Sequence, residues 1–137
     1  MERIRVNVQW CDHNFGASLG DNVPGSVVVT AKTYDELQKE VSDSLRFHVE
    51  GMLADGDDVP QWLADGDYEF EWLFADTATL LHVCEPFVTI AAISRETGIN
   101  QHLLSHYANL VKIPRERQRQ RIAEGIRRIG ERLISVV

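Results

Sequence analysis

Polar side chains recur at helical spacing in the segment NQHLLSHYAN, and their chemistry suits the recognition of bases. A helix places four of them on one outward face: Gln101, His102, Ser105 and His106. Amide, imidazole and hydroxyl groups can hydrogen-bond to base edges in the major groove of DNA. Gln101 is the first candidate for a base contact, because an amide can bond adenine at two points.

Residues 90–109 have the pattern of a helix-turn-helix, whose second helix would carry this polar face into the major groove. Gly98 supplies the backbone freedom that a sharp turn needs, and Asn100 is a good N-cap for the second helix. Leu104 and Tyr107 should point back to the first helix. The alternative is an ordinary helical hairpin with a solvated face, but the surrounding charge favours the DNA-reading interpretation.

That surrounding charge is basic. Lys112, Arg115 and Arg117 follow the second helix, and we expect them to contact the phosphate backbone. Residues 87–137 carry 9 Lys and Arg against 4 Asp and Glu, whereas residues 1–86 carry 5 against 17. The formal charges of +5 and −12 suggest two modules with different partners. A basic module suits a polyanion, and an acidic one suits a basic protein.

Other reactive side chains favour neither catalysis nor metal binding. His102 and His106 are four residues apart, but no glutamate lies between them and no third ligand is evident. Cys84 and His82 are neighbours that a helix points in different directions. The sequence contains no phosphate-binding loop, nucleophile elbow or EF-hand spacing. We therefore predict no catalytic residue, no metal site and no cofactor.

Residues 1–75 predict an α+β module of order β-β-β-α-β. Apolar residues alternate with polar ones in residues 4–10 and 68–74, and residues 15–19 should return as a hairpin strand. Val27, Val28 and Val29 suggest a central strand, and residues 54–67 a solvated acidic loop. We expect one helix to lie on one face of a small, mostly antiparallel sheet.

That helix should begin at a capping box formed by Thr33 and Glu36 and extend over residues 34–53. His48 is interpreted as a hydrogen-bonded helix residue rather than a metal ligand. The predicted inner stripe of the helix consists of Leu37, Val41, Leu45, His48 and Met52.

Residues 76–137 are predicted to be all helical. A short helix over residues 77–84 precedes the helix-turn-helix, and a long amphipathic helix starts at Arg115. Residues 134–137 are too apolar for a free tail and suggest pairing in a homodimer or higher homo-oligomer. Two cysteines, no signal peptide and no membrane-spanning run favour a reduced, cytoplasmic protein without a membrane partner.

Over nearly its whole length the chain resembles the HicB antitoxins of bacterial HicA–HicB toxin–antitoxin systems. The first part of the resemblance is VNVQW, Pro24-Gly25 and TYDELQKEVSDSL. The second part is AAISRETGINQHLLSHYAN and IPRERQRQRIAEGIRRIGERLISV, which is similar to the helix-turn-helix variant of the family.

The resemblance implies a partial ribonuclease-H-like module in residues 1–75, without nuclease activity, that covers the active site of a HicA-type mRNA-cleaving toxin. It implies that residues 76–137 form a dimerising helix-turn-helix domain that binds operator DNA and represses the operon. The first strand carries no acid before Asp12, so the carboxylate cluster of an active nuclease is not visible. Two alternatives stay open: a DNA-binding regulator with a ligand-sensing N-terminal module and no toxin partner, and a ribonuclease-H-type enzyme.

Leu110 departs from the family pattern, which usually has glycine after the reading helix. A left-handed helix stop costs leucine about 1 kcal/mol or more. We therefore expect that Asn109 takes the left-handed conformation or that the helix continues, and Lys112 would be placed differently in the two cases.

Overall fold

The computed structural model describes all 137 residues, and they divide into two compact units, Met1–Ala75 and Asp76–Val137. The first unit contains a four-stranded sheet, and the second contains only helices. The fold is therefore mixed α+β. No helix of the chain is both long enough and apolar enough to cross a membrane.

The sheet lies in the order β3-β2-β1-β4, with β4 parallel to β1 and the other two pairings antiparallel. The strands are β1 (Glu2–Cys11), β2 (Asn14–Leu19), β3 (Val28–Ala31) and β4 (Tyr68–Phe74). The predicted hairpin of β1 and β2 is confirmed. The prediction that the valine run is a central strand is wrong, because β3 pairs only with β2 and forms an edge. Glu2 is also part of β1, so this strand does carry one acid before Asp12.

Helix α1 (Tyr34–Ala54) begins where the capping-box pattern predicts, because the Thr33 hydroxyl accepts a hydrogen bond from the Glu36 amide at 3.1 Å. Its buried residues are Leu37, Val41, Leu45 and Val49. Placing His48 and Met52 in the inner stripe was therefore wrong. His48 is half-buried beside this stripe. Its Nε2 lies 2.7 Å from the Pro24 carbonyl oxygen, as expected for a hydrogen-bonded helix residue.

The core of the first unit lies between α1 and the sheet. Alternate residues of β1, Ile4, Val6 and Val8, are fully buried, as the period-two pattern predicts. The predicted acidic loop contains one helical turn, α2 (Gln61–Ala64), which buries Leu63 in this core.

The second unit packs four helices around one apolar core. They are α3 (Thr77–Cys84), α4 (Ile90–Thr97), α5 (Gln101–Ala108) and α6 (Glu116–Ser135). The predicted bounds of α3 are confirmed, while α6 begins one residue later than predicted, with Arg115 at its N-cap. The core consists of Leu81, Ile93, Ile99, Leu104, Tyr107, Ala108 and Ile122.

Candidate nucleic-acid interface

The turn between α4 and α5 is fixed by hydrogen bonds. Gly98 adopts a left-handed φ of 75°, and its amide donates to the Ser94 carbonyl at 2.8 Å. The Thr97 hydroxyl donates to the Ile93 carbonyl at 2.7 Å and accepts from the Ile99 amide at 3.2 Å. The Ser94 hydroxyl donates to the Ile99 carbonyl at 2.6 Å. These bonds hold the two helices at a set angle.

Helix α5 is anchored at its start and along its inner face. The Asn100 side-chain oxygen accepts from the amides of His102 at 2.8 Å and Leu103 at 3.4 Å, so the predicted N-cap is confirmed. Leu104 and Tyr107 are buried against the rest of the unit, as predicted. A helix held in this way presents its opposite face with little freedom to rotate.

The predicted reading residues all lie on α5. Gln101 and His102 are exposed in its first turn, whereas Ser105 and His106 are half-buried. The two exposed side chains are therefore the more accessible of the four. Contact of these residues with DNA stays a prediction.

The end of α5 differs from both expectations. Leu110 itself takes the left-handed conformation, with φ of 60°, while Asn109 has φ of −94°. The Leu110 amide donates to the Tyr107 carbonyl at 3.3 Å, and the Val111 amide donates to the His106 carbonyl at 2.9 Å. This pair of bonds is a Schellman motif, which satisfies two carbonyls at the helix end and offsets the strain of leucine.

The three cations predicted to contact phosphate are free to do so. Lys112 is exposed in the linker after α5, Arg115 is at the N-cap of α6, and Arg117 is exposed in the first turn of α6. None of them forms an ion pair within the chain. Arg95 on α4 is also exposed and unpaired, and sequence reasoning missed it. Its position was a usable signal, because the first helix of such a motif crosses the DNA backbone.

Other arginines of α6 fasten this helix to α4. Arg121 donates to the Thr97 carbonyl at 2.9 Å, and Glu96 accepts from Arg128 at 3.0 Å and pairs with Arg132 at 3.2 Å. The Glu96 side chain is only 10% exposed, so it is held between the two helices. These bonds give the three arginines a structural role.

His82 and Cys84 also have structural surroundings. The His82 Nε2 lies 2.8 Å from the Ala108 carbonyl oxygen, and its Nδ1 lies 3.6 Å from a Glu85 carboxylate oxygen. Burial raises the pKa of the Cys84 thiol, which lowers its reactivity at neutral pH. No group of three or more His, Cys, Asp and Glu side chains in the chain could hold a metal ion.

Comparison of the chain with models of known protein families, with curated proteins and with solved structures finds no match. The geometry and charge of the two units therefore carry the functional interpretation.

Proposed function

We propose that this chain is a HicB-type antitoxin that neutralises a HicA-type mRNA-cleaving toxin and represses its own operon by binding operator DNA. One observation carries the DNA-binding part of the proposal. Exposed Gln101 and His102 start a capped, anchored helix, and unpaired Lys112, Arg115 and Arg117 follow it. This combines base-reading groups with phosphate-binding groups in the order that a helix-turn-helix requires.

The charges of the two units support separate partners. Met1–Ala75 carries 5 Lys and Arg against 15 Asp and Glu, a formal charge of −10, and Asp76–Val137 carries 9 against 6, a charge of +3. The first unit repels nucleic acid and attracts a basic protein. A small basic toxin fits that requirement, and in this proposal the first unit has no nuclease activity.

The end of α6 supports self-association. Leu133, Ile134, Val136 and Val137 are exposed at this end, and four exposed apolar residues in one short stretch indicate a protein contact. Pairing about a two-fold axis would double the base contacts of one helix-turn-helix. We expect light scattering at micromolar concentration to show a dimer or larger species, and a strict monomer would contradict this part of the proposal.

The antitoxin role is tested by searching the genes beside its own for one that encodes a small basic protein, and by co-expressing that protein with the full chain. We expect the basic protein alone to arrest growth and cleave mRNA, and the full chain to restore growth. The variant Gln101→Ala serves as a control, since it should neutralise as well as the unaltered chain. A basic protein that neither arrests growth nor binds the chain would contradict the antitoxin role and would favour the ligand-sensing regulator.

A further inference from the structure

We propose that the basic partner docks on the first unit in a groove that includes Phe47 of α1 and the start of β3. This inference rests on the proposed function and names the face that the partner contacts. The groove has a volume of about 460 Å³. We call it the Phe47 groove, and the residues that line it include Val27, Val28, Phe47, His48, Gly51 and Met52.

Phe47 is an anchor with nothing covering it. Its side chain is 79% exposed, and it makes no ring contact with another aromatic residue. The exposure follows from the helix, because α1 turns Leu45 and Val49 into the core and leaves position 47 on the outside. Val28, which also lines the groove, is exposed, and so is Leu53 near the end of α1. A buried aromatic anchor is the usual energetic centre of a protein interface.

The charge around this anchor selects a basic partner. Acidic residues share the outward side of α1 with Phe47 at helical spacing, and Asp55 and Asp57 line the end of the groove. Those on the helix are Glu36, Glu40, Asp43 and Glu50. Lys39 and Arg46 are the only lysine and arginine on α1, and His48 of the same helix also lines the groove. An apolar centre with an acidic rim fits a basic polypeptide that inserts an apolar side chain, and it disfavours a nucleic acid.

The edge of the sheet beside the groove offers backbone hydrogen bonds as well. β3 pairs with β2 on one side only, so the other side has unpaired amides and carbonyls. An extended segment of the partner could add to this edge while its side chains enter the groove.

The opposite edge of the sheet, β4, is the competing surface. Phe74 on this strand is 36% exposed, and its ring already packs on Tyr34 at a centroid distance of 5.7 Å. Trp72 likewise lies 5.8 Å from Tyr34 and 5.5 Å from Phe70. These rings already pack against one another, whereas the Phe47 ring packs against no other aromatic ring. The Phe47 groove is therefore the better docking site.

The test measures the affinity of the full chain for the purified basic protein that the search of the neighbouring genes identifies. We expect Phe47→Asp to weaken the complex by about thirtyfold or more, as for a hot-spot residue. Phe87→Asp is the matched control, because Phe87 is also highly exposed, at 75%, but lies in the second unit. We expect this variant to bind the basic protein as tightly as the unaltered chain does. Phe74→Asp reports on the β4 edge. Circular dichroism and melting curves check that each variant is folded.

Charge variants give a second readout of the same face. Glu50→Lys should slow association more than Asp21→Lys, which makes the same charge change in the turn between β2 and β3. Equal effects of these two variants would contradict the groove as the docking site.

The possible failures can be distinguished. If the unaltered chain binds and folded Phe47→Asp binds equally well, the groove assignment is overturned and the proposed function stands. If Phe74→Asp alone abolishes binding, the partner docks at β4 instead. If the unaltered chain does not bind the basic protein at all, the antitoxin role fails, and the groove assignment fails with it.

Discussion

Leu110 shows how one residue can end helix α5 in a conformation that its side chain disfavours. It adopts φ of 60°, which for a non-glycine residue costs about 1–2 kcal/mol, and the hydrogen bonds of the Schellman motif offset this strain. The resemblance to the family pattern marked the position as unusual. It could not show that leucine itself would take the left-handed conformation, because that outcome depends on the following linker.

Leu110→Gly should therefore raise the free energy of unfolding of the second unit by about 0.5–1 kcal/mol, since glycine adopts this φ without strain. Asn109→Gly is the matched control. Asn109 has φ of −94°, so glycine relieves nothing there and should destabilise by about 0.5–1 kcal/mol. Chemical denaturation measures both variants, and a loss of stability in Leu110→Gly as large as in Asn109→Gly would show that the leucine is unstrained.

The two cysteines should differ in reactivity. Cys11 is exposed, whereas Cys84 is partly buried, and burial raises the pKa of the Cys84 thiol. A raised pKa leaves less thiolate at neutral pH, so we expect Cys84 to react with a thiol reagent more slowly than Cys11 and to speed up as the pH rises. Cys11→Ser should remove the fast phase. A single slow phase in the unaltered chain would contradict this assignment.

At the scale of elements, the features that depend on neighbouring residues in the sequence were predicted best. Thr33 and Asn100 were identified as caps because the groups that they bond lie two or three residues away. The place of β3 at the edge and the burial of Leu63 by α2 were missed. Both depend on residues that are distant in sequence, and a hydrophobic pattern does not show which distant residues a strand or helix will contact.

The contact between α4 and α6 gives a sharp test at this scale. A Cβ on Gly125 would overlap with Thr97 Cγ2, and two hydrogen bonds of the Thr97 hydroxyl hold that methyl group in place. A Cβ on Gly130 would meet no atom within 4 Å. Gly125→Ala should therefore destabilise the second unit by about 1–3 kcal/mol, despite the better helix propensity of alanine.

Gly130→Ala is the control for that variant, because it changes the same residue type in the same helix. It should stabilise the unit by about 1 kcal/mol through helix propensity alone. Thermal and denaturant unfolding measure both effects. Equal stabilisation by the two alanines would show that α6 does not approach α4 as closely as the structure indicates.

At the scale of the whole molecule, the division of charge could be predicted from the sequence. The roles of individual arginines could not be predicted from it. Arg121 and Arg128 belong to the basic stretch, yet their guanidinium groups bond Thr97 and Glu96 of the same unit. Lys112, Arg115 and Arg117 have no such partner and remain available. A count of charges cannot separate these two groups, because the difference depends on where each side chain lies relative to α4.

The central claim is that α5 reads DNA bases, and the most direct test measures affinity for two duplexes over a range of salt concentration. One duplex has the sequence upstream of the chain's own gene, and the other is a scrambled duplex of equal composition. Gln101→Ala should weaken binding to the upstream duplex by about 1–3 kcal/mol and leave binding to the scrambled duplex nearly unchanged.

Lys112→Ala is the companion variant in the same measurement. It should weaken binding to both duplexes alike and reduce the salt slope by about one, because it removes a phosphate contact rather than a base contact. Arg115→Ala and Arg117→Ala should behave as Lys112→Ala does. An unchanged ratio of upstream to scrambled affinity in Gln101→Ala, together with no effect of the basic substitutions, would contradict the claim that this helix reads DNA.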